Sequence, residues 1–463
     1  MAVIPVSPVP ALNSENDGAG PPPVPDPASR GHIGRVVAGS LATGLLAALL
    51  LPFAPFISAQ ESEVTGAVLC GFALGWATLA VLSVRLTDQP QRWAFVPALV
   101  MGAGGLLLMW FGSSVDGVLS WVWPPVMLAL AIWMLVHAHR ELRSRSRWLL
   151  YAVIGFLAVA AIGGTYQTLG AAADAKAYPM PGQLVDVGGH RLHIHCTGSG
   201  SPTVILEPGQ GGASSDSGWV APALARDSTV CVYDRAGRGW SDPADAPQDA
   251  TRIAAGLHTL LERAQVPGPY VLAGHSSGGL YVQTFAANYP DQVAGLVLLD
   301  STAPKPGSAL PTRTESYDVL GRVSAVFSAV AHLGAGRLIV QSSYGSLPPH
   351  FRGEARANAS TAPYLASWIE EFVAANRSMQ QAAALTNLDD KPLVVVTADT
   401  GNAAGWEQAQ DKMATLSTNS SHRVAKDTTH ATLLHVETAA AQASQAIHDV
   451  LRSVRTGSPL AQQ

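Results

Sequence analysis

The sequence predicts two structural units: an α-helical transmembrane bundle of about five spans, followed by an α/β domain with a doubly wound, mainly parallel sheet. Charged residues make up 13% of the 463 residues, whereas soluble domains contain about 25%. The deficit is concentrated in long apolar stretches within residues 33–170. From residue 171 to 463, short apolar runs alternate with amphipathic helical patterns, which is typical of parallel α/β sheets.

The first 32 residues are rich in proline, glycine and small polar side chains. Such a composition cannot bury enough apolar surface to form a core, so we expect a disordered tail over residues 1–32. The segment is too long and too proline-rich for the start of a cleaved signal peptide. The first apolar stretch is therefore expected to remain as an uncleaved membrane anchor.

Five apolar stretches are long enough to cross a bilayer, which requires about 20 apolar residues per helix. They are apolar on all sides, whereas the helices of a soluble bundle would carry a polar stripe. Aromatic residues near several ends fit the interfacial positions that membrane proteins favour. The predicted spans are 34–57, 64–85, 93–112, 117–137 and 148–168.

Arginines mark one side of this predicted bundle. They precede the first span, occupy the loop between the second and third spans, and recur in the loop at 140–147. The excess of positive charge places these loops and the N-terminus in the cytoplasm. An odd number of spans then puts the α/β domain on the extracytoplasmic side of the cell membrane. The formal net charge of −5 gives no basic excess, so nucleic acid is excluded as an expected partner.

The second unit shows a regular order of apolar strand patterns and amphipathic helices. A Gly-Gly turn separates the first two strand patterns, and helical patterns cover 249–265 and 437–454. Further strands are predicted at 202–209, 228–233, 270–274, 295–300 and 392–398.

One motif points to chemistry. Gly274-His275-Ser276-Ser277-Gly278 has the form G-x-S-x-G and joins a predicted strand to a predicted helix. In that context the turn is too tight for bulky neighbours and exposes a strained serine at the end of the sheet, next to the helix N-terminus. Ser276 is therefore the candidate nucleophile, with an ordinary turn of small residues as the alternative.

A nucleophilic serine needs a base and an acid that orients the base. In strand-turn-helix sites of this kind the chain order is serine, acid, histidine. His430 follows a polar loop before the last helix and is the preferred base over His422 and His435. For the acid, Asp300 and Asp399 both end predicted strands, and the residues alone do not choose between them.

The site also needs donors for the negative charge that develops on a substrate oxygen. The amide after the nucleophile, that of Ser277, is one candidate. A second is the amide of Gln210 in the glycine-rich loop 205–215, where Gly209 allows close backbone approach. The alternative is a glycine-rich loop with no such role.

Residues 182–454 resemble the α/β-hydrolase superfamily, in the branch similar to proline iminopeptidases, haloalkane dehalogenases and small esterases. The segments that carry the resemblance are LEPGQGG, YDRAGRGWSD, GHSSGG, GLVLLD and TTHATLL. It implies Ser276 as nucleophile, His430 as base, and Gln210 and Ser277 as oxyanion donors. Many relatives carry the acid as G-x-x-D after the later strand. Here that stretch reads TADT, with Asp399 one position early, which favours Asp300.

The serine at the elbow distinguishes this chain from the dehalogenases and epoxide hydrolases of the superfamily, which have aspartate there. The resemblance therefore implies a membrane-anchored serine hydrolase acting on a carboxylic ester, with a small-molecule or lipid-like substrate. An aminopeptidase-like or thioester hydrolase is one alternative. A non-catalytic binding protein that retains the fold is another, because fold does not determine function.

Two further features follow from the resemblance. The insertion at about 303–388, with apolar residues at helical spacing, corresponds to a helical cap over the pocket, rather than a structural insertion away from it. Cys196 and Cys231 lie in strands that the family places side by side, which makes a disulfide plausible outside the cytoplasm. His193 and His195 have no third ligand nearby, so no metal and no cofactor are expected.

Overall fold

The computed structural model describes residues 32–244, 246, 248–305 and 319–461. Residues 1–31 of the predicted tail therefore lie outside the described residues. Residue 32 instead begins the first helix. Part of the predicted cap insertion, residues 306–318, also lies outside them.

Between residues 32 and 177, the structure shows five helices that are long and apolar enough to cross a membrane. Each corresponds to one predicted span. They are α1 (His32–Leu50), α2 (Glu61–Leu86), α3 (Phe95–Phe111), α4 (Asp116–Glu141) and α5 (Arg147–Ala177).

The ends of two of these helices differ from the prediction. Helix α1 stops at Leu50, and a 3₁₀ turn with Pro52 follows at Leu51–Phe53, because proline lacks the N–H that an α-helix interior requires. Helix α5 continues to Ala177, past the predicted boundary at residue 170. Its last residues, GAAADAKA, are rich in alanine, the strongest helix former.

The C-terminal unit is built on one eight-stranded sheet in the order β1-β2-β4-β3-β5-β6-β7-β8. Strands β1 and β2 run antiparallel to their neighbours, and the remaining pairs are parallel. This confirms the predicted sheet. The strands are β1 (Gln183–Asp186), β2 (Arg191–Thr197), β3 (Thr203–Glu207), β4 (Val230–Tyr233), β5 (Tyr270–His275), β6 (Val293–Leu299), β7 (Leu393–Thr400) and β8 (Ser420–Thr429).

The described residues of this unit form ten α-helices. In chain order they are α6 (Val220–Leu224), α7 (Ala250–Arg263), α8 (Gly278–Asn288), α9 (Val319–Ala331), α10 (Ala335–Ile339), α11 (Pro349–Ala359), α12 (Ala362–Ala382), α13 (Trp406–Ala414), α14 (Thr432–His435) and α15 (Glu437–Thr456). Apolar side chains of α7, α8 and α13 pack on one face of the sheet. Those of α6 and α15 pack on the other face.

Helices α9 to α12 lie between β6 and β7, within the predicted cap insertion. The apolar spacing predicted α9 and α12. It did not predict α10, which has only five residues, or α11, whose sequence PHFRGEARANA has no long apolar stripe.

The cap packs against one end of the membrane bundle. Ala325 and Val326 of α9 join an apolar cluster with residues of α2 and the turn after α1. Arg322 of α9 donates hydrogen bonds to the carbonyl oxygens of Pro52 (2.7 Å) and Ala54 (3.2 Å). Arg337 of α10 pairs with Asp174 of α5 at 2.6 Å.

The arginine-containing loops lie at the other end of the bundle. The amide of Arg143, between α4 and α5, donates to Gln89, between α2 and α3, at 3.0 Å. The C-terminal unit therefore occupies the end of the bundle opposite to the positively charged loops.

Candidate active site

Ser276 occupies a strained turn between β5 and α8. Its φ angle is +56°, a region that costs energy for any residue with a Cβ. The turn closes only because its neighbours are small: a Cβ on Gly274 would lie 2.6 Å from the carbonyl oxygen of Gly278. The Ser276 amide donates to the carbonyl oxygen of Leu299 at 3.2 Å, which ties the turn to β6.

Three side chains form a hydrogen-bonded chain at the carboxyl edge of the sheet. His430 Nε2 lies 2.8 Å from Ser276 Oγ, and His430 Nδ1 lies 2.6 Å from Asp300 Oδ2. His430 follows β8, and Asp300 follows β6. Parallel strands bring these distant residues together because their carboxyl ends meet at one edge.

Asp300 is fixed on all sides. Its side chain is fully buried, and its Oδ1 accepts hydrogen bonds from Trp406 Nε1 (2.8 Å) and the Ala398 amide (3.1 Å). Burial raises the pKa of this carboxyl, but the hydrogen bonds from His430, Trp406 and Ala398 outweigh it, so the pKa lies below its usual value. Asp300 is therefore an ionised acceptor for the Nδ1–H of His430.

Asp399, the alternative acid, does not reach His430. Its carboxylate accepts the amides of Asp427 (2.7 Å) and Thr428 (2.9 Å), and these hydrogen bonds hold its pKa below the usual value. Asp399 thus fixes the backbone of Asp427 and Thr428, just before His430.

The other two candidate histidines have partners elsewhere. His422 Nδ1 contacts Asp411 at 2.6 Å, and His435 Nε2 contacts Asp216 at 2.7 Å.

The predicted oxyanion donors lie next to Ser276. A Cβ on Gly209 would lie 2.8 Å from the Cβ of Ser276, so the loop after β3 passes directly over the serine. Gln210 follows Gly209 on that loop, and Ser277 caps the N-terminus of α8. The Gln210 side-chain amide donates to the carbonyl oxygen of Trp368 at 3.4 Å, but within the described residues no hydrogen bond joins the backbone N–H of Gln210 or Ser277 to another protein atom. Both amides are available to a substrate oxygen.

His275 packs against His430. Its ring stacks on that of His430 with centroids 4.8 Å apart, and its Nε2 lies 3.0 Å from the carbonyl oxygen of His430. Burial and the neighbouring His430 lower the pKa of His275 to about 4. A neutral His275 can donate its Nε2–H to that carbonyl.

A buried ionic network holds the loop that follows β3. Arg235 donates to Glu207 (2.5 Å), to Glu371 of α12 (2.9 Å) and to the carbonyl oxygen of Gly209 (2.7 Å). Glu371 also accepts the amide of Gly211 at 3.1 Å. The network therefore connects the cap directly to the loop that carries Gln210.

The two carboxyls of this network differ in acidity. Burial raises the pKa of Glu207 to about 7, against the opposing effect of Arg235. Burial also acts on Glu371, but Arg235 and Arg238 outweigh it, so the pKa of Glu371 lies below its usual value.

Sequence reasoning missed the supporting residues of the site. Glu207 and Arg235 lie within segments that carry the family resemblance, LEPGQGG and YDRAGRGWSD, but no role was inferred for them. Trp406 and Glu371 have no surrounding motif and reach the site only through tertiary packing.

Cys196 and Cys231 are joined in a disulfide. They are direct partners in the antiparallel pairing of β2 and β4. The cross-link lies within the sheet, away from Ser276.

A family model described as the alpha/beta hydrolase fold matches residues 202–435. This chain belongs to the α/β-hydrolase fold family. Its matched region contains Ser276, Asp300 and His430, and it includes the cap. The five membrane-type helices lie before it.

Curated relatives share part of this α/β-hydrolase chain. An uncharacterised protein of Schizosaccharomyces pombe is 30% identical over 226 residues, covering 42% of this chain and 39% of that protein. An uncharacterised vacuolar membrane protein of Saccharomyces cerevisiae is 28% identical over 134 residues, covering 24% and 20%. The chain thus spans well under half the length of these relatives.

Solved structures are similar to the hydrolase unit. A thermophilic esterase from Thermogutta terrifontis is 23% identical, with a TM-score of 0.45, and the match covers 59% of this chain and all of the esterase. An enol-lactonase from Burkholderia xenovorans is 18% identical, with a TM-score of 0.44, covering 58% of this chain and all of the lactonase.

Proposed function

We propose that this protein is a membrane-anchored serine hydrolase that cleaves a carboxylic ester through an acyl-enzyme. The observation that carries the proposal is the chain of hydrogen bonds from Ser276 Oγ through His430 to Asp300, at 2.8 Å and 2.6 Å. A serine at a strained turn, a histidine that can take its proton and a buried carboxylate that orients the histidine are the parts of a nucleophilic triad.

The reaction has two steps. Ser276 Oγ attacks the ester carbonyl carbon while His430 Nε2 takes the hydroxyl proton, and the Gln210 and Ser277 amides hold the oxyanion. The tetrahedral intermediate then releases the alcohol, which takes the proton back from His430. In the second step His430 deprotonates a water molecule that attacks the acyl-enzyme, and the carboxylic acid leaves with Ser276 restored.

We place the hydrolase unit on the extracytoplasmic side of the cell membrane. Two observations support this orientation. The unit packs on the end of the bundle opposite to the arginine-containing loops, which the positive-inside rule assigns to the cytoplasm. The disulfide between Cys196 and Cys231 is of a kind that persists in oxidising compartments.

A fluorophosphonate probe tests the proposal on the full chain in detergent, followed by intact-mass analysis. We expect one probe per chain for the wild type and none for Ser276→Ala. Ser277→Ala is the matched control, because only the backbone amide of Ser277 takes part, and it should remain labelled. A folded wild type that is not labelled would overturn the proposal in favour of a binding protein.

Substrate class follows from a second assay. Acyl nitrophenyl esters, acyl nitrothiophenyl thioesters and aminoacyl nitroanilides, which release a coloured phenol, thiol or amine respectively, are compared by kcat/KM. Preference for the ester supports the proposal, whereas preference for the aminoacyl amide would replace it with a peptidase.

A further inference from the structure

A cavity of about 400 Å³ lies between the membrane bundle and the cap. Its walls come from α2, α3, α4 and α5, and the cap helix α9 with the turn after it closes one side. The volume falls in the range of sites that bind small molecules, which is about 300–1,000 Å³. It is separate from the site at Ser276, none of whose residues line it.

The lining is almost entirely apolar and runs along the membrane-spanning helices. On α5 it extends from Phe156 to Thr168, a rise of about 18 Å at 1.5 Å per residue. One leaflet of a bilayer has a hydrocarbon depth of about 15 Å, half of the full core. The length of the cavity therefore matches the hydrocarbon depth of one leaflet, and its apolar lining matches the polarity of that region.

The polar groups of the lining are gathered near the cap. Glu61, at the start of α2, pairs with His332 at 2.7 Å, and Ser120 and Gln167 lie at the same end of the helices. Met101, Met127 and Phe72 line the deeper part. The cavity is thus long and apolar with polar groups at one end, which is the distribution of polarity in a lipid molecule.

The cap wall of the cavity is fixed to the bundle by close backbone packing. A Cβ on Gly163 of α5 would lie 2.2 Å from the carbonyl oxygen of Leu333, in the turn that follows α9. The Ser328 hydroxyl of α9 contacts both Glu61 Oε2 of α2 (2.5 Å) and the carbonyl oxygen of Ala362 (2.9 Å), where α12 begins. The helix that closes the cavity thus contacts the helix that carries Glu371.

We propose that this cavity binds an acyl chain of a membrane lipid, with the polar part of the lipid at the Glu61–His332 end. The apolar walls replace neighbouring lipid chains, and the position of the mouth matches the level of the headgroups. The proposal concerns binding alone and does not depend on the esterase activity of Ser276.

The test uses the full chain in phospholipid nanodiscs that contain a phosphatidylcholine with a diazirine on one acyl chain. Photolysis and peptide mapping should place cross-links on the cavity-lining residues of α9 and of the turn after it, such as Ala329 and Leu333. A parallel sample with a diazirine fatty acid distinguishes a free fatty acid from a phospholipid as the source of the chain.

Two neighbouring residues of α5 provide a matched pair of variants. Ala160 lines the cavity, whereas Val159 is 68% exposed on the outer surface of the bundle. Ala160→Trp should lower cross-linking to α9 by about tenfold, because an indole fills the space that the chain needs. Val159→Trp should leave it unchanged. Ala329→Phe, on the opposite wall, gives a second variant if the first does not fold by circular dichroism.

Cross-links confined to outward-facing side chains in the wild type would overturn the proposal without any variant. Cross-links to α9 that persist in folded Ala160→Trp and Ala329→Phe would overturn it as well. Neither result bears on labelling of Ser276 by a fluorophosphonate, so failure of this proposal and failure of the proposed function are distinguishable.

Discussion

Replacing Glu371 by glutamine removes one buried negative charge while nearly preserving the shape of the side chain. In the wild type Glu371 lies 2.9 Å from Arg235 and 3.2 Å from Arg238. Removing one partner of a buried ion pair costs about 3–5 kcal/mol. Arg235 keeps Glu207 at 2.5 Å, but the buried Arg238 loses the carboxylate at 3.2 Å, so we expect a loss of about 3–5 kcal/mol of unfolding free energy.

The same substitution should slow the chemistry. Glu371 accepts the amide of Gly211 next to Gln210, and a hydrogen bond to a charged acceptor is worth about 1 kcal/mol more than one to a neutral amide. If that bond positions the oxyanion loop, the rate of fluorophosphonate labelling should fall by about fivefold.

Urea denaturation followed by tryptophan fluorescence measures the stability effect. Glu262→Gln is the matched control, because the Glu262 side chain is 63% exposed and its loss should change stability by less than about 0.5 kcal/mol. If Glu371→Gln shifts the urea midpoint no more than Glu262→Gln does, the ionic network does not stabilise the cap on the loop and the reasoning is wrong.

Three other predictions follow from the site and its surroundings. Asp300→Asn should lower kcat for ester hydrolysis by about 10⁴-fold, because the asparagine fixes the wrong tautomer of His430. Asp399→Asn should retain most activity. Equal losses in the two variants would contradict the assignment of Asp300 as the acid. The folded-state pKa of His275 lies near 4, against 6.5 for the free side chain, so the folded state binds fewer protons between these values and stability must fall as pH drops from 6.5 towards 4. His275→Gln should therefore flatten the dependence of the urea midpoint on pH in that window, and an unchanged slope would refute it. Replacing Cys196 and Cys231 by serine opens a loop with a sequence separation of 35 and should lower the unfolding free energy by about 3–4 kcal/mol. A urea midpoint equal to that of the wild type would contradict this prediction.

The catalytic candidates could be predicted because they follow strand ends in a fixed chain order. Ser276 lies in a motif that only a strand-turn-helix explains, and Asp300 and His430 each follow a strand that ends at the same edge of the sheet. The strand pattern alone did not separate Asp300 from Asp399, because both follow strands. The family resemblance favoured Asp300, and it is Asp300 that contacts His430 in the structure.

The supporting residues could not be predicted for a physical reason. Glu371 and Trp406 act through contacts with residues more than 100 positions away in the chain, and no local pattern encodes such a contact. Arg322 and Arg337 look like ordinary surface charges in the sequence, yet both are buried where the cap meets the bundle. The packing of the cap on the bundle therefore could not be predicted from the sequence.

Helix α5 runs without a break from the membrane bundle to the hydrolase unit. Its 31 residues rise by about 46 Å, which exceeds the roughly 30 Å of a hydrocarbon core. The part of α5 beyond the hydrocarbon core is a continuous helix and not a flexible linker. An ion pair between Arg337 of the cap and Asp174 of α5 fixes it to the cap. In the orientation proposed above, α5 therefore holds Ser276 at a set height above the bilayer. For the proposed lipid-like substrate, turnover should then scale with the surface density of that substrate in the membrane and not with its bulk concentration.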